Sequence, residues 1–167
     1  ERVLRVVTRV FHEVILITNS PADFCHLDLP MFRDLVPGRG SLGGLYTGLT
    51  LCTGSHAFLV ACDMPFLKEP VVRHLIELVA DHDVVVPRIR GHLEPLHSIY
   101  SKRCLARIEE LFGEDDLKIL NFFPKVDVLE VAQTALEVFD PGCRFVINVN
   151  TPEDFRQAGF LAENNDY

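Results

Sequence analysis

A chain of 167 residues, 48% of them hydrophobic and 24% charged, has the length and composition of a globular protein with a sizeable core, and we predict one domain over 1–167. A formal net charge of −8 without any basic run argues against a nucleic-acid partner, and no apolar run is long enough for a membrane span. The five cysteines are scattered without a CxxC pair, which argues against a zinc site; with no targeting segment recognisable, they predict reduced thiols in a cytoplasmic protein.

The spacing of the apolar residues changes repeatedly along the chain. The continuous apolar, β-branched run EVILIT (13–18) is typical of a strand buried on both faces, and AFLVAC (57–62) predicts a second buried strand, whereas the spacing over 1–11 is helical. In chain order, the pattern predicts a helix over 1–11, a strand over 13–18, a helix over 43–53, a strand over 57–62, a helix over 70–81, strands over 83–87 and 94–100, helices over 102–112 and 115–123, strands over 125–131 and 144–148, and a closing helix over 151–159. This alternation indicates an α/β fold in three layers, with a mainly parallel, twisted sheet and helices on both faces.

The stretch PGRGSLGGLYTGL, residues 37–49, concentrates glycine where a helix is about to begin. Its closely spaced glycines are Gly38, Gly40, Gly43, Gly44 and Gly48. Glycine is tolerated where φ is positive or where another group must approach the backbone. One interpretation is a surface turn and a helix that packs tightly on the sheet; the other is a backbone-lined loop whose N–H groups meet a phosphate or a base edge. The stretch contains neither a Walker motif nor GxGxxG, so both interpretations stay open.

Asp63 directly follows a predicted buried strand, in the segment ACDMPFL (61–67). Ligands of open α/β sheets bind beyond the carboxyl ends of the strands, and a carboxylate there can hold Mg²⁺ together with substrate phosphates. Asp is also a favoured turn residue, so a role in capping the turn is an equal alternative.

Two asparagines, Asn148 and Asn150, flank one valine in INVNTPEDF (147–155), at the end of a predicted strand. Asn side chains offer both hydrogen-bond donors and acceptors, which suits ligand binding. The alternative is turn formation and helix capping, which accounts for Thr151 and Pro152 better than for two asparagines.

Taken in order, ILITNS, DLVPGRGSLGGLYTGL, ACDMPFL, HLEPLHSIY and FVINVNTPEDF resemble the molybdenum cofactor guanylyltransferases of the MobA type, within the wider nucleotidyltransferase group. The resemblance covers nearly the whole chain, and GSLGGL followed by EPL and NVNTPED is its most specific part. It implies a Rossmann-like nucleotidyltransferase fold. It also implies transfer of GMP from GTP to molybdenum-carrying molybdopterin, release of pyrophosphate, a requirement for Mg²⁺, and partners among other proteins of molybdenum cofactor biosynthesis.

The resemblance assigns roles to particular residues. Asp63 matches the aspartate that holds Mg²⁺ and the nucleotide phosphates, and it is the implied catalytic residue. The positions that match the nucleotide side are Asn19, Asp34, Gly43 and Gly44, and those that match the pterin side are Glu94, next to Pro95, together with Asn148 and Asn150.

The sequence departs from the family pattern in two places. The usual Gly-Pro-Leu is Gly40-Ser41-Leu42 here. The family's opening motif, a first strand and a Gly-rich loop with a lysine that grips the triphosphate, does not precede Glu1 in this sequence. Because loss of that strand would leave backbone groups of the central strands unpaired, we expect the natural protein to contain the segment.

Two other functions fit parts of the pattern. The first is a related nucleotidyltransferase that uses CTP or acts on a sugar phosphate, since base choice depends on loops that the visible sequence does not define. The second is a non-catalytic cofactor-binding relative, although Asp34 and Asp63 are retained. His92 and His97 lie five residues apart around Glu94, and packing on a strand or at the surface accounts for them better than a metal site.

Overall fold

The computed structural model describes residues 2–151 together with 153, 154 and 156. The helices are α1 (Arg2–Val10), α2 (Gly40–Leu51), α3 (Glu69–Glu77), α4 (Leu105–Gly113) and α5 (Gln133–Leu136). The strands are β1 (Leu16–Ile17), β2 (Met31–Phe32), β3 (His56–Val60), β4 (Val84–Ile89), β5 (His92–Leu93), β6 (His97–Ser101) and β7 (Val128–Ala132). Short 3₁₀ turns cover Pro21–Phe24, Lys102–Cys104, Ile119–Lys125 and Arg144–Val146.

The larger sheet has the strand order β3, β6, β4, β7, and β5 pairs with the end of β4 as a hairpin. β6 is antiparallel to both β3 and β4, whereas β7 is parallel to β4. β3, β4 and β7 therefore point the same way, as the sequence predicts for the sheet, and β6 runs against them. β1 and β2 form a separate parallel pair, with Leu16 opposite Met31.

Helices cover both faces of the larger sheet, so the predicted three-layer α/β fold is confirmed. Val84 and Val86 pack in one core cluster with α2 and α4, and Val85 packs with α3 in another. The alternation follows from the strand, in which successive side chains point to opposite faces. α1 adds to the α3 side, where Val7 packs with Val72. Within the described residues, no helix is both long and apolar enough to cross a membrane.

A groove of about 560 Å³ separates β1 from β3. Ile17 and Val60 lie on its two sides, and Gly44 and Gly48 of α2 also line it. In the part of the chain that the structure describes, β1 pairs only with β2 and β3 pairs only with β6. The strand edges that border the groove consequently have no strand partner there, and every residue of β3 is only half-buried.

The predicted strand over 144–148 is wrong, because the chain forms a 3₁₀ turn at Arg144–Val146. Cys143 has a left-handed backbone with φ of 49°, and the Asp140 carboxylate accepts a hydrogen bond from the Phe145 N–H at 2.8 Å. Both features turn the chain back on itself. Phe145 is fully buried in the core cluster of α3 rather than in a strand ladder.

Several other predicted elements differ in extent or type, and the strand predicted over 13–18 is only Leu16–Ile17. The strand predicted over 94–100 begins only at His97, because the His97 N–H donates to the Glu94 carbonyl at 3.0 Å and closes a turn. The helix predicted over 115–123 is a 3₁₀ turn at Ile119–Lys125. Of the predicted closing helix, Glu153, Asp154 and Arg156 are helical, and Pro152 and Gly159 lie outside the described residues.

Candidate active site

Asp63 lies just beyond the carboxyl end of β3. Its Oδ1 is buried and has no hydrogen-bond partner among the described residues. The backbone carbonyl of Asp63 accepts a hydrogen bond from the Val149 N–H at 2.8 Å, so the segment with both asparagines runs beside it. If Asp63 capped the turn, its carboxylate would accept hydrogen bonds from nearby backbone N–H groups. The carboxylate of Asp63 has no such bond in the described chain, which favours the ligand-binding interpretation over the capping one.

Asn19 and Asp34 form a hydrogen-bonded pair. The Asn19 side-chain N–H donates to Asp34 Oδ2 at 2.7 Å, and the Asn19 side-chain oxygen accepts from the Asp34 N–H at 3.3 Å. Asn19 follows β1 and Asp34 follows β2, so the parallel pairing of these strands brings the two residues together. The second oxygen of the Asp34 carboxylate has no partner in the described chain and can accept a further hydrogen bond.

The glycines of residues 37–49 serve different purposes. Gly38 and Gly40 have φ of +79° and +53°, which L side chains adopt only with strain. A Cβ at Gly43 would lie 3.0 Å from the Arg39 Cβ, 3.3 Å from the Val36 carbonyl oxygen and 3.9 Å from Asp34 Cγ. A Cβ at Gly44 would meet nothing within 4 Å, and this residue lines the groove. Tight packing therefore accounts for Gly43 and not for Gly44.

The helix cap after Asn150 uses neither asparagine side chain. The Asp154 carboxylate accepts from the N–H groups of Asn150 at 3.1 Å and Thr151 at 2.9 Å, and Thr151 Oγ1 accepts from the Asp154 N–H at 3.1 Å. The Thr151 hydroxyl beside the carboxylate, and then the N–H groups of Asn150 and Thr151, lower the pKa of Asp154. Asn148 and Asn150 are exposed and their side chains make no hydrogen bond within the described residues. Helix capping thus explains Thr151, as predicted, and leaves the asparagine side chains available.

Glu94 lies on a turn that β6 holds in place. Ser98 Oγ donates to the Glu94 carbonyl at 2.6 Å, and the buried Tyr100 hydroxyl donates to the Pro95 carbonyl at 2.7 Å. The Glu94 side chain is half-buried and makes no hydrogen bond or ion pair with the described residues. Burial raises its pKa, and nearby His92 opposes that shift. The result is a carboxyl group on a firmly held backbone, with no partner among the residues that the structure describes.

His97 is a fully buried residue of β6 that packs between two phenylalanines. Its ring centre lies 5.1 Å from that of Phe58 and 4.6 Å from that of Phe145. Neither ring nitrogen has a hydrogen-bond partner in the described chain, and burial lowers the pKa of His97 to about 3. These contacts favour core packing for His97, while His92 is exposed at the surface. The described residues contain no group of three or more His, Cys, Asp or Glu positioned around a metal ion.

Three supporting residues were not predicted from the sequence. Thr47, fully buried on α2, accepts at its Oγ1 a hydrogen bond from the Leu35 N–H at 3.0 Å and fixes the chain next to Asp34. Ser98 and Tyr100 hold the turn at Glu94, as described above. The sequence signal that could have identified them is a hydroxyl residue within an otherwise apolar helix or strand, because a buried polar group requires a hydrogen-bond partner.

Hydrogen bonds and close contacts bring the predicted residues into two groups. Asn19 and Asp34 bond to each other, and Asp34 lies near Gly43, where an added Cβ would be 3.9 Å from Asp34 Cγ. Asp63 bonds to Val149 between the two asparagines, and the Ala61 N–H donates to the Leu96 carbonyl at 3.2 Å, which places the turn after Glu94 next to the end of β3. Both groups lie at the ends of strands, where α/β sheets bind ligands.

A family model for the MobA-like NTP transferase domain matches residues 1–125. The chain belongs to this family. A probable molybdenum cofactor guanylyltransferase from Pelotomaculum thermopropionicum is 36% identical over 163 residues, which cover 98% of this chain and 80% of that protein. A molybdenum cofactor guanylyltransferase from Desulfosudis oleivorans is 35% identical over 159 residues, which cover 95% and 79% of the two chains.

Solved structures show the same fold. Molybdopterin-guanine dinucleotide biosynthesis protein A from Archaeoglobus fulgidus has a TM-score of 0.83 at 23% identity and covers 99% of this chain and 87% of its own. A 4-diphosphocytidyl-2C-methyl-D-erythritol synthase from Anaerococcus prevotii has a TM-score of 0.70 at 14% identity, covering 98% and 88%. The predicted resemblance is confirmed, and this MobA-like protein is a nucleotidyltransferase.

Proposed function

We propose that this MobA-like nucleotidyltransferase transfers GMP from GTP to molybdenum-carrying molybdopterin. An oxygen of the pterin's phosphate forms a bond to the α-phosphorus of GTP, while the bond from that phosphorus to the departing pyrophosphate breaks. A general base is unnecessary, because the attacking phosphate is already ionised near neutral pH. The observation that carries the proposal is the buried Oδ1 of Asp63, which has no partner within the described chain and lies next to the segment with Asn148 and Asn150.

Asp63 is the proposed Mg²⁺ ligand. A buried carboxylate oxygen without a hydrogen-bond donor costs roughly 1–3 kcal/mol, and a hard cation that prefers oxygen ligands would offset this cost. When bound, Mg²⁺ would neutralise charge on the reacting phosphates. Asp63 itself fixes the place at which the two substrates meet, since its backbone is bonded to the Val149 N–H.

The nucleotide is proposed to lie over Asn19, Asp34, Gly43 and Gly44. The Asn19 amide orients the Asp34 carboxylate, which keeps one oxygen to accept a hydrogen bond from the nucleoside. Gly44 supports a nucleotide here because the space beyond its Cα is open, so a ligand can approach the backbone. The N–H groups at the start of α2 favour a phosphate nearby.

The pterin is proposed to lie over Glu94, Asn148 and Asn150. A pterin ring presents the N3–H and the 2-amino group side by side, and these two donors match the two oxygens of one carboxylate. Glu94 fits this role because its backbone is held by Ser98 while its carboxyl group has no partner in the described chain. The two asparagine side chains offer hydrogen-bond donors and acceptors for the rest of the molybdopterin.

Asp63→Asn provides the direct test, with Asp28→Asn at an exposed carboxylate as the matched control. In a GMP-transfer assay with Mg²⁺, GTP and molybdopterin, we expect the Asp63 variant to lose about a hundredfold or more in kcat with unchanged folding. Turnover like that of the Asp28 variant would refute the assignment. Offering CTP beside GTP decides base choice, and preferential use of CTP would favour the cytidylyltransferase alternative.

A further inference from the structure

Arg39, inside the glycine stretch, is anchored to the end of α4. Its guanidinium forms an ion pair with the Asp115 carboxylate and lies 5.5 Å from the centre of the Phe112 ring. The Arg39 side chain is only 25% exposed, although that of Asp115 is 88% exposed. The guanidinium is therefore covered by the aromatic ring and held from one side by a carboxylate, which restricts its position more than a surface ion pair alone does.

Asp115 has a left-handed backbone conformation, which glycine adopts more readily than residues with a side chain. Its φ is 56°, in the left-handed region. The Asp115 N–H donates to the Phe112 carbonyl at 3.3 Å and the Asp116 N–H to the Leu111 carbonyl at 3.0 Å, the two bonds that typically end a helix around a glycine. A side chain at such a position costs stability relative to glycine. The Asp115 carboxylate forms the ion pair with Arg39, an interaction that glycine at this position could not make.

The other end of Arg39 contacts the residues of the proposed nucleotide side. The Arg39 carbonyl accepts the Gly43 N–H at 3.0 Å, at the start of α2. A Cβ at Gly43 would lie 3.0 Å from the Arg39 Cβ and 3.9 Å from Asp34 Cγ. Arg39 thus links Asp115 to Gly43 at the start of α2, and Asp34 lies on the side of Gly43 where a Cβ would point.

We propose that Arg39 is a positioning residue, and that the turn at the end of α4 sets nucleotide affinity through it. Gly38 and Gly40 on either side of Arg39 have positive φ and little intrinsic stiffness. Without the contacts of Arg39 with Asp115 and Phe112, the loop would adopt its binding conformation for a smaller fraction of the time. The apparent affinity for the nucleotide would fall in proportion to that fraction. This inference rests on the proposed function for the choice of GTP as the probe.

Asp115→Gly separates positioning from simple stabilisation. Glycine relieves the left-handed conformation, so we expect the thermal midpoint to stay equal or to rise, although one exposed ion pair is lost. The Kd for GTP should nevertheless become about fivefold weaker, and Arg39→Met should weaken it by about the same factor or more. Arg107→Met, which removes an ion pair with Glu110 on the same helix, is the control and should leave the Kd unchanged.

Two results would overturn the proposal. If Asp115→Gly bound GTP like the wild type while Arg39→Met did not, the guanidinium would act on the nucleotide directly. If amide exchange at Gly43 and Gly44 in the unliganded protein were no faster in either variant, Arg39 would not hold the loop. The exchange result decides this inference even if the wild-type protein binds no GTP, an outcome that would refute the proposed function instead.

Discussion

The buried imidazole of His97 should make the protein lose stability as the pH falls. Burial between Phe58 and Phe145 lowers the pKa of His97 from 6.5 to about 3 in the folded protein. The unfolded chain, with the ordinary value, binds a proton that the folded protein excludes. This contribution to stability is therefore fully present above pH 6.5 and is lost progressively as the pH falls from 6.5 towards 3.

The size of the effect follows from the width of that pH window. One unit of pKa difference corresponds to about 1.4 kcal/mol, which is also the limiting slope per pH unit for one group. Between pH 6.5 and pH 5, His97 alone should remove roughly 2 kcal/mol from the free energy of unfolding. That is a large fraction of the roughly 5–15 kcal/mol by which a typical domain is stable.

The assay is urea unfolding at pH 7.5 and pH 5 for the wild type, His97→Phe and the exposed-site control His26→Phe. Carboxylates that also titrate are common to all three proteins, so they cancel in the comparison. We expect the wild type and the His26 variant to lose about 2 kcal/mol more than the His97 variant. An equal loss in all three would refute the reasoning, and His97→Leu serves if phenylalanine overpacks the site.

Three further predictions concern the proposed substrate sites. Asn150→Ala should weaken molybdopterin binding about ten- to a hundredfold and leave GTP binding nearly unchanged. Asp34→Ala should weaken GTP binding and leave molybdopterin binding nearly unchanged. Titrating each substrate separately against each variant measures these affinities. In the wild type, pterin binding should weaken at acidic pH, because burial raises the pKa of Glu94 and protonation would abolish one hydrogen-bond acceptor. Glu94→Gln should weaken pterin binding about tenfold and remove this pH dependence. An unchanged pH profile in the variant would contradict the role of Glu94. Gly44→Ala should raise the unfolding midpoint and weaken GTP binding, because the space beyond Gly44 is open but faces the groove. Gly43→Ala should lower the midpoint, because the new Cβ would lie 3.0 Å from the Arg39 Cβ. Equal effects of the two changes would refute the distinction.

The parts of the fold with strong local patterns were predictable from the sequence. The apolar run AFLVAC before Asp63 predicts the position of β3 to within two residues, because a strand between two layers has few polar positions. Its residues are only half-buried, rather than buried on both faces as predicted. The strand predicted over 144–148 fails for a reason that no local pattern contains: the Asp140 side chain captures the Phe145 N–H and Cys143 turns left-handed. β2 has two residues, and a strand so short gives no period to detect.

The candidate site was predictable to a different degree. Residue types at strand ends indicated Asp63 and the asparagines, and the family resemblance added Asn19, Asp34 and Glu94. The partners of these residues could not be predicted, because they come from distant parts of the chain: Asp34 bonds to Asn19 across 15 positions, and the Asp63 carbonyl bonds to the Val149 N–H. That residues 1–167 form one domain stays a prediction.

The direction of β6 explains how the turn with Glu94 comes to lie near Asp63. β6 runs antiparallel to β3, with His97 opposite Val60, so the chain that leads into β6 passes the carboxyl end of β3. The turn with Glu94 is thereby brought to the same edge as Asp63, and the Asp63 carbonyl holds the Val149 N–H from the other direction. If β6 were parallel to β3, the turn with Glu94 would lie at the opposite edge of the sheet. The reversed strand therefore places the proposed pterin side beside Asp63, where a phosphate of each substrate would come together in the proposed transfer.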